Sequence, residues 1–233
     1  QADDIVCCSR DLAREAQRML RIREHRVSSI PNGIDIDGLE QSRNQRFRPD
    51  TGGYPKYLVN VAAYQPSMGQ DTLLQAFHRL VREQLDCALL LIGRSTPQLA
   101  DLRYQVRQLG LRKQVFFLPD LDHSNTLAAI QQAQLLIQPA REDPYGTTLL
   151  EAGYLGTPVV ATRVGGVPEI LGSYYPYLCE PNDPVALAEV MDEALFNPTE
   201  TEREVKLIRR RVATQFSGDT TYNAYEAAWC ESG

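Results

Sequence analysis

Most of the chemistry this chain offers lies in one stretch, Arg141-Glu142-Asp143-Pro144-Tyr145-Gly146-Thr147-Thr148-Leu149-Leu150-Glu151-Ala152. An apolar run of strand length ends near Gln138, and a helical pattern begins near Thr147. In an open parallel sheet, ligands bind beyond the carboxyl ends of the strands. The first turn of the following helix has unpaired backbone N–H groups, and its dipole adds partial positive charge, so it takes phosphate or sugar oxygens. Gly146 permits close backbone approach. Thr148 and Glu151 are three apart and share a helix face. Asp143 sits in the loop just before. Two carboxylates and a hydroxyl thus surround one anion-accepting helix end, and carboxylates suit sugar and ribose hydroxyls. From these residues alone a second reading stands beside the first: Asp143 caps the loop, and Glu151 is a solvated helix residue.

The elements that must position this stretch can be read from the alternation of apolar runs and helical patterns. Runs of strand length recur at residues 5–8, 57–61, 88–92, 115–118, 135–137 and 158–161. They are short and nearly continuous, as in strands buried on both faces of a parallel sheet. Helical patterns fall between and after them, at 72–85, 99–109, 126–132, 147–155 and 184–195. Strand and helix alternating at this rhythm predict an α/β fold with a doubly wound, Rossmann-like parallel sheet.

Residues 1–30 hold a strand, a helix and a short strand, too few for a domain, and read as the tail of another one. Pro31-Asn32-Gly33-Ile34-Asp35 is a strong turn signal. The polar stretch 37–55 that follows reads as linker or surface loop, so 31–55 separates the tail from a ligand-binding domain at 56–200. Residues 201–233 are expected to form helices that pack back. Tyr222, Tyr225 and Trp229 fall on one helix face and are expected to dock it onto the core. The chain starts with Gln1, and residues 2–6 read as an acidic lead into a strand rather than a signal peptide, so it reads as a piece of something longer or a processed product.

Bulk properties narrow the ligand. The formal net charge is -6, which disfavours general binding of nucleic acid but leaves room for one small phosphate ligand in a local pocket. No apolar run is long enough for a transmembrane helix. Five cysteines without a C-x2-C pair, and histidines as far apart as His25, His78 and His123, predict free thiols in a reducing, cytoplasmic compartment and no metal site. No G-x-G-x-x-G follows any strand, which counts against a dinucleotide cofactor.

The stretch from Asp143 to Glu151 resembles the Glu-x7-Glu motif of the family 4 (group 1) retaining glycosyltransferases, which have the GT-B fold. Other segments resemble that family in the same order: Ile30-Pro31-Asn32-Gly33-Ile34-Asp35, Asp71-Thr72-Leu73-Leu74-Gln75-Ala76-Phe77, Leu89-Leu90-Leu91-Ile92-Gly93, Val115-Phe116-Phe117-Leu118, Gly156-Thr157-Pro158-Val159-Val160-Ala161-Thr162 and Gly165-Gly166-Val167-Pro168-Glu169-Ile170. The resemblance implies the C-terminal, donor-binding half of a GT-B glycosyltransferase. It implies that Glu151 binds the ribose of a nucleotide-diphosphate sugar and that Asp143, as the catalytic carboxylate, lies beside the donor sugar. Backbone around Tyr145, Gly146, Thr147 and Thr148 would meet the sugar and diphosphate. The backbone near Leu118 would meet the base, and Gly93 and Arg94 complete the expected binding set. No metal and no cofactor beyond the donor is implied, anomeric configuration is retained, and the donor phosphate takes the acceptor proton. The acceptor would be held by an N-terminal domain missing here, through which peripheral membrane contact stays open.

The chain departs from that pattern where charge matters. The family's G-R-L-x-x-x-K-G is matched by Ala62-Ala63-Tyr64-Gln65-Pro66-Ser67-Met68-Gly69, with Ala63 for the Arg and Met68 for the Lys. From Tyr57 to Phe77 there is no Lys, Arg or His. The first Glu of the motif is shortened to Asp143, and Pro119 replaces a Gly. Losing two charged contacts removes about 3–6 kcal/mol of stabilisation, on the order of 10²- to 10⁴-fold in rate. Arg94, Arg141 and Arg163 are candidate replacements, each otherwise an ordinary solvated arginine. Three expectations follow, in this order: a donor domain for retaining glycosyl transfer, a catalytically degenerate binding or scaffold module, or another class on the same sheet type, such as a GT-B epimerase or a plain dinucleotide-binding domain.

Overall fold

The structure, a computed structural model, describes residues 4–231. Ala2 and Asp3 of the acidic lead lie outside the described residues. Six parallel strands form the main sheet: β3 (Tyr57–Val61), β4 (Ala88–Gly93), β5 (Val115–Pro119), β6 (Leu135–Gln138), β7 (Val159–Thr162) and β8 (Leu178–Cys179), in the order β5-β4-β3-β6-β7-β8. The register sets Val59 opposite Leu90 on one side and Leu136 on the other. Leu58, Val59, Leu89, Leu90, Leu135 and Leu136 are fully buried, so both sheet faces are covered, as the continuous apolar runs require. Helices α3 (Gln70–Arg82), α4 (Gln98–Gln108), α5 (His123–Gln132), α6 (Thr147–Leu155), α7 (Val167–Leu171), α8 (Pro184–Phe196) and α9 (Pro198–Gln215) supply that cover. α3 packs against α4 and α8, while α6 packs against α5 and α9. Gly153 lets α6 approach α9 closely, because a side chain there would run into Ile208.

A separate two-stranded parallel sheet pairs β1 (Ile5–Cys7) with β2 (Val27–Ser29), beside helix α1 (Arg10–Leu20). It has a small apolar cluster of its own around Cys7, Ala13 and Val27. One tie to the larger unit is polar. Glu169 at α7 accepts the backbone N–H groups of Arg10 (3.2 Å) and Asp11 (3.1 Å), while Ser9 caps α1 locally.

Two expectations are corrected. The polar stretch after the Pro31-Asn32 turn is not loop throughout: Ile36–Ser42 forms helix α2. Asp35 caps it by accepting the Gly38 N–H at 3.0 Å, and Leu39 is buried against the main core. One inward leucine and one side-chain cap outweigh the low helix propensity of Gly38. The aromatic stripe of α10 (Gly218–Glu231) does not dock onto the core: Tyr222 and Trp229 are 66% and 74% exposed, and Tyr225 and Trp229 lean on each other at 6.2 Å between ring centroids. α10 is fastened at its start, where Gly218 N–H bonds Ile34 O (3.0 Å) and the Thr221 hydroxyl bonds Pro31 O (2.9 Å). Helical spacing alone put the three rings on one side; what that side faces is a matter of where the helix is pinned. Among the described residues no helix is long and apolar enough to cross a membrane.

Candidate functional site

The strand order reverses direction between β3 and β6, since β3 leads outward to β4 and β5 and β6 leads the other way to β7 and β8. Loops leaving two such strands diverge and open a crevice at their carboxyl ends. The loop 139–146 leaves β6, the loop 62–69 leaves β3, Gly93 and Arg94 end β4, and Leu118 lies at the end of β5. β4 and β5 stand two and three strands from β6, about 10 and 14 Å at the usual spacing. Asp143, Gly146, Thr147, Thr148 and Glu151 therefore gather at one helix end, while Gly93, Arg94 and Leu118 lie farther along the same rim.

Helix α6 opens on Gly146, in the left-handed region at φ 77°, and has no side-chain cap. α3, α4 and α7 likewise lack a side-chain cap, whereas α1, α2, α5, α8 and α9 are capped by Ser9, Asp35, Asp122, Asp183 and Asn197. The Leu149 N–H closes onto Gly146 O at 2.9 Å, so the Thr147 and Thr148 N–H groups are those left for another acceptor. Asp143 accepts the Tyr145 N–H on one carboxylate oxygen (3.1 Å) and the Gln138 side-chain N–H on the other (3.1 Å). The Tyr145 ring is buried and its hydroxyl donates to Asn32 O, so this side chain ties the loop to the Pro31–Asp35 turn instead of lining the crevice. Gly165 presses on the far side of the loop, where a Cβ would overlap the Asp143 carbonyl oxygen.

Glu151 is not a solvated helix residue. Its side chain is only 15% exposed and borders a cavity of about 400 Å³ lined by Gly33, Asp35, Ser42, His123 and Thr147. Burial pushes its carboxyl pKa up, and His123, with Nε2 at 3.8 Å, pulls it part of the way back. Nothing in the local sequence points to this neighbour: Asp122, as the cap of α5, places His123 at the first helical position. A raised carboxyl pKa means that the folded chain holds this proton more tightly than the unfolded one. The stability so conferred is present below the ordinary carboxylate range and is lost as pH rises through the folded-state value. Thermal unfolding of Glu151→Gln against wild type is expected to show a gap that moves in favour of the variant as pH rises from that range; a gap constant with pH would overturn this placement.

The loop after β3 carries no cation of its own. Tyr64 is buried and donates to Leu91 O (2.7 Å), and the Gln70 side chain donates to Ala63 O (3.0 Å). Ala63 and Met68 are half-buried beside them. Of the three candidate replacement arginines, Arg141 is neither solvated nor spare. Its guanidinium forks onto Asp71 at 2.8 and 2.7 Å, reaches Pro66 O and Asn182, and its backbone N–H bonds Ser67 O at 2.7 Å. Burial raises the Asp71 pKa, but the Arg141 hydrogen bonds and charge outweigh it and leave the carboxyl below its usual range. Arg163 lies 3.6 Å from Glu180 and donates to Ser173 O. Arg94 is exposed and has no acid partner among the described residues.

The family profile described as "Glycosyl transferases group 1" matches residues 41–211. The chain is 27% identical over 227 residues to a glycogen synthase of Mycobacterium tuberculosis, covering 96% of this chain and 53% of that protein. It thus spans about half the length of that curated relative. A Rickettsia africae glycosyltransferase superposes with a TM-score of 0.84 at 18% identity, over 98% of this chain and 63% of the other. The Anabaena protein HepE, crystallised with UDP and glucose, superposes with a TM-score of 0.81 at 19% identity, over 99% of this chain and 64% of its own. These two likenesses establish the fold, the Rossmann-like half of the GT-B arrangement. The profile match runs from the α2 helix across the whole crevice-bearing sheet to α9, and on that evidence the chain belongs to the group 1 glycosyltransferases.

Proposed function

We propose that this chain binds a nucleotide-diphosphate sugar in the crevice at β3 and β6 and serves retaining glycosyl transfer from it. The observation that carries the reading is the uncapped α6 N-terminus standing over a cavity bordered by the half-buried Glu151. In this reading Glu151 takes the ribose hydroxyls, and the N–H groups of Gly146, Thr147 and Thr148 take diphosphate and sugar oxygens. Asp143 lies beside the donor sugar, and the Tyr145 anchor keeps its loop in place. Backbone near Leu118 meets the base, Gly93 keeps the rim low, and Arg94 is the cation still free to turn toward phosphate. The acceptor oxygen bonds to the anomeric carbon as the bond from that carbon to phosphate oxygen breaks, and the acceptor proton passes to the departing phosphate.

Calorimetry with UDP tests the site. Glu151→Ala is expected to weaken binding about tenfold or more, since a hydrogen bond to a charged group contributes about 1.5–3 kcal/mol. Equal affinities for wild type and variant would refute the ribose role. A second reading, a binding module that no longer transfers sugar, is favoured by Ala63 and Met68 and by Arg141 being held on Asp71. UDP binding together with no turnover of any nucleotide sugar would select it.

A further inference from the structure

We infer that Gln138 is the positioning residue of the donor-sugar carboxylate: its buried side-chain amide sets the orientation of Asp143. The inference rests on the reading of Asp143 as the group beside the donor sugar. Gln138 ends β6 after three apolar residues, Leu135, Leu136 and Ile137, and is only 4% exposed. Its Nε2 donates to Asp143 Oδ2 at 3.1 Å. Its Oε1 is buried with no hydrogen-bond partner. An orphaned buried acceptor costs stability, and a leucine of similar volume would avoid it. The amide is therefore a liability to the fold, and its one side-chain hydrogen bond goes to the candidate site. A flipped amide would set an oxygen against a carboxylate oxygen, so the donor end must face Asp143.

The geometry around this contact is stiff. The Thr162 hydroxyl on β7 is shared between Gln138 O (3.3 Å) and Ala140 O, which fixes the strand end from which the amide projects. Tyr145 N–H holds the other Asp143 oxygen, so one donor on each oxygen fixes the carboxylate plane. Each oxygen keeps acceptor capacity for a sugar hydroxyl. An aspartate is one methylene shorter than the glutamate that the family resemblance leads one to expect, so its carboxylate stays close to the strand end, within reach of Gln138.

The test measures UDP and UDP-glucose binding by calorimetry, with thermal unfolding, on the whole chain as wild type, Gln138→Leu, Gln138→Glu, Asp143→Ala and Gln138→Leu/Asp143→Ala. Gln138→Leu is expected to keep UDP affinity and to keep or raise Tm, while the preference for UDP-glucose over UDP falls about five- to tenfold. Gln138→Glu has the same shape but replaces the donor by an acceptor, and is expected to lose at least as much of that preference. In the Asp143→Ala background, Gln138→Leu is expected to change nothing further. A preference that survives Gln138→Leu in a chain that binds both ligands overturns the inference alone. So does a loss that adds in full to that of Asp143→Ala, or one accompanied by lower Tm and weaker UDP binding, because each marks a purely structural role. A wild type that binds neither ligand removes the donor-site reading and this inference with it.

Discussion

Urea unfolding of Gly69→Ala is expected to report a loss of about 2–5 kcal/mol. Two costs combine there. Gly69 links the turn after β3 to α3 in the left-handed region, at φ 67°, where a residue with a Cβ costs about 1–2 kcal/mol. The added methyl would also overlap the carbonyl oxygen of Pro139, and overpacking of this kind costs about 1–3 kcal/mol. Retreat is blocked, because Arg141, two residues beyond Pro139, bonds Ser67 O on the same turn and grips Asp71 in the first turn of α3. Gly53→Ala is the control. It too has a positive φ, 94°, but nothing lies within 4 Å of the new methyl, so only the backbone cost of about 1–2 kcal/mol is expected. Equal losses at the two positions would show that the contact between the β3 and β6 loops does not matter.

The second large effect concerns charge. Ala63→Arg with Met68→Lys is expected to raise affinity for UDP far more than for uridine. Two restored contacts to diphosphate contribute at most about 3–6 kcal/mol, less the side-chain entropy and solvent screening that half-exposed positions incur. Both residues lie on the turn held by Tyr64 and Gln70, so the substitutions need not build a new loop. Arg141 does not already supply that charge to a ligand, since its guanidinium is forked onto Asp71. The gain should shrink as salt is raised. An unchanged ratio of UDP to uridine affinity would mean that this turn does not face the diphosphate.

The sheet was legible in the sequence because its strands are buried on both faces, and continuous apolar runs such as Leu89 to Ile92 leave little room for another reading. Helix α6 was legible end to end, from the glycine before it to Gly156 after it, because both termini use backbone that favours glycine. α2 was missed because its evidence is thin locally: a cap, Asp35, and one buried leucine within polar surroundings. The candidate site was legible as a set of residue types around a helix end. Their partners were not. Arg141 finds Asp71 seventy positions back in the chain, and His123 meets Glu151 only because α5 and α6 lie side by side. Gln138 reads as one polar residue ending an apolar run until its hydrogen bond to Asp143 is seen. Periodicity reports the face a residue occupies, whereas pairings of this kind depend on which elements become neighbours.

The cap that Glu169 places on α1 bears on the order in which the chain can be completed. The two amides it satisfies belong to Arg10 and Asp11, separated from it by 159 and 158 positions. During synthesis from the N-terminus, at about 5–20 residues per second, the carboxylate emerges about 10–30 s after the helix it finishes. Through that interval α1 has Ser9 and water at its first turn, and its pairing with β1 and β2 is a local affair. The contact with Glu169 closes only when β7 has joined the large sheet and α7 has formed after it. The small sheet can therefore condense early, while its polar junction with the large one waits until most of the large sheet has been made.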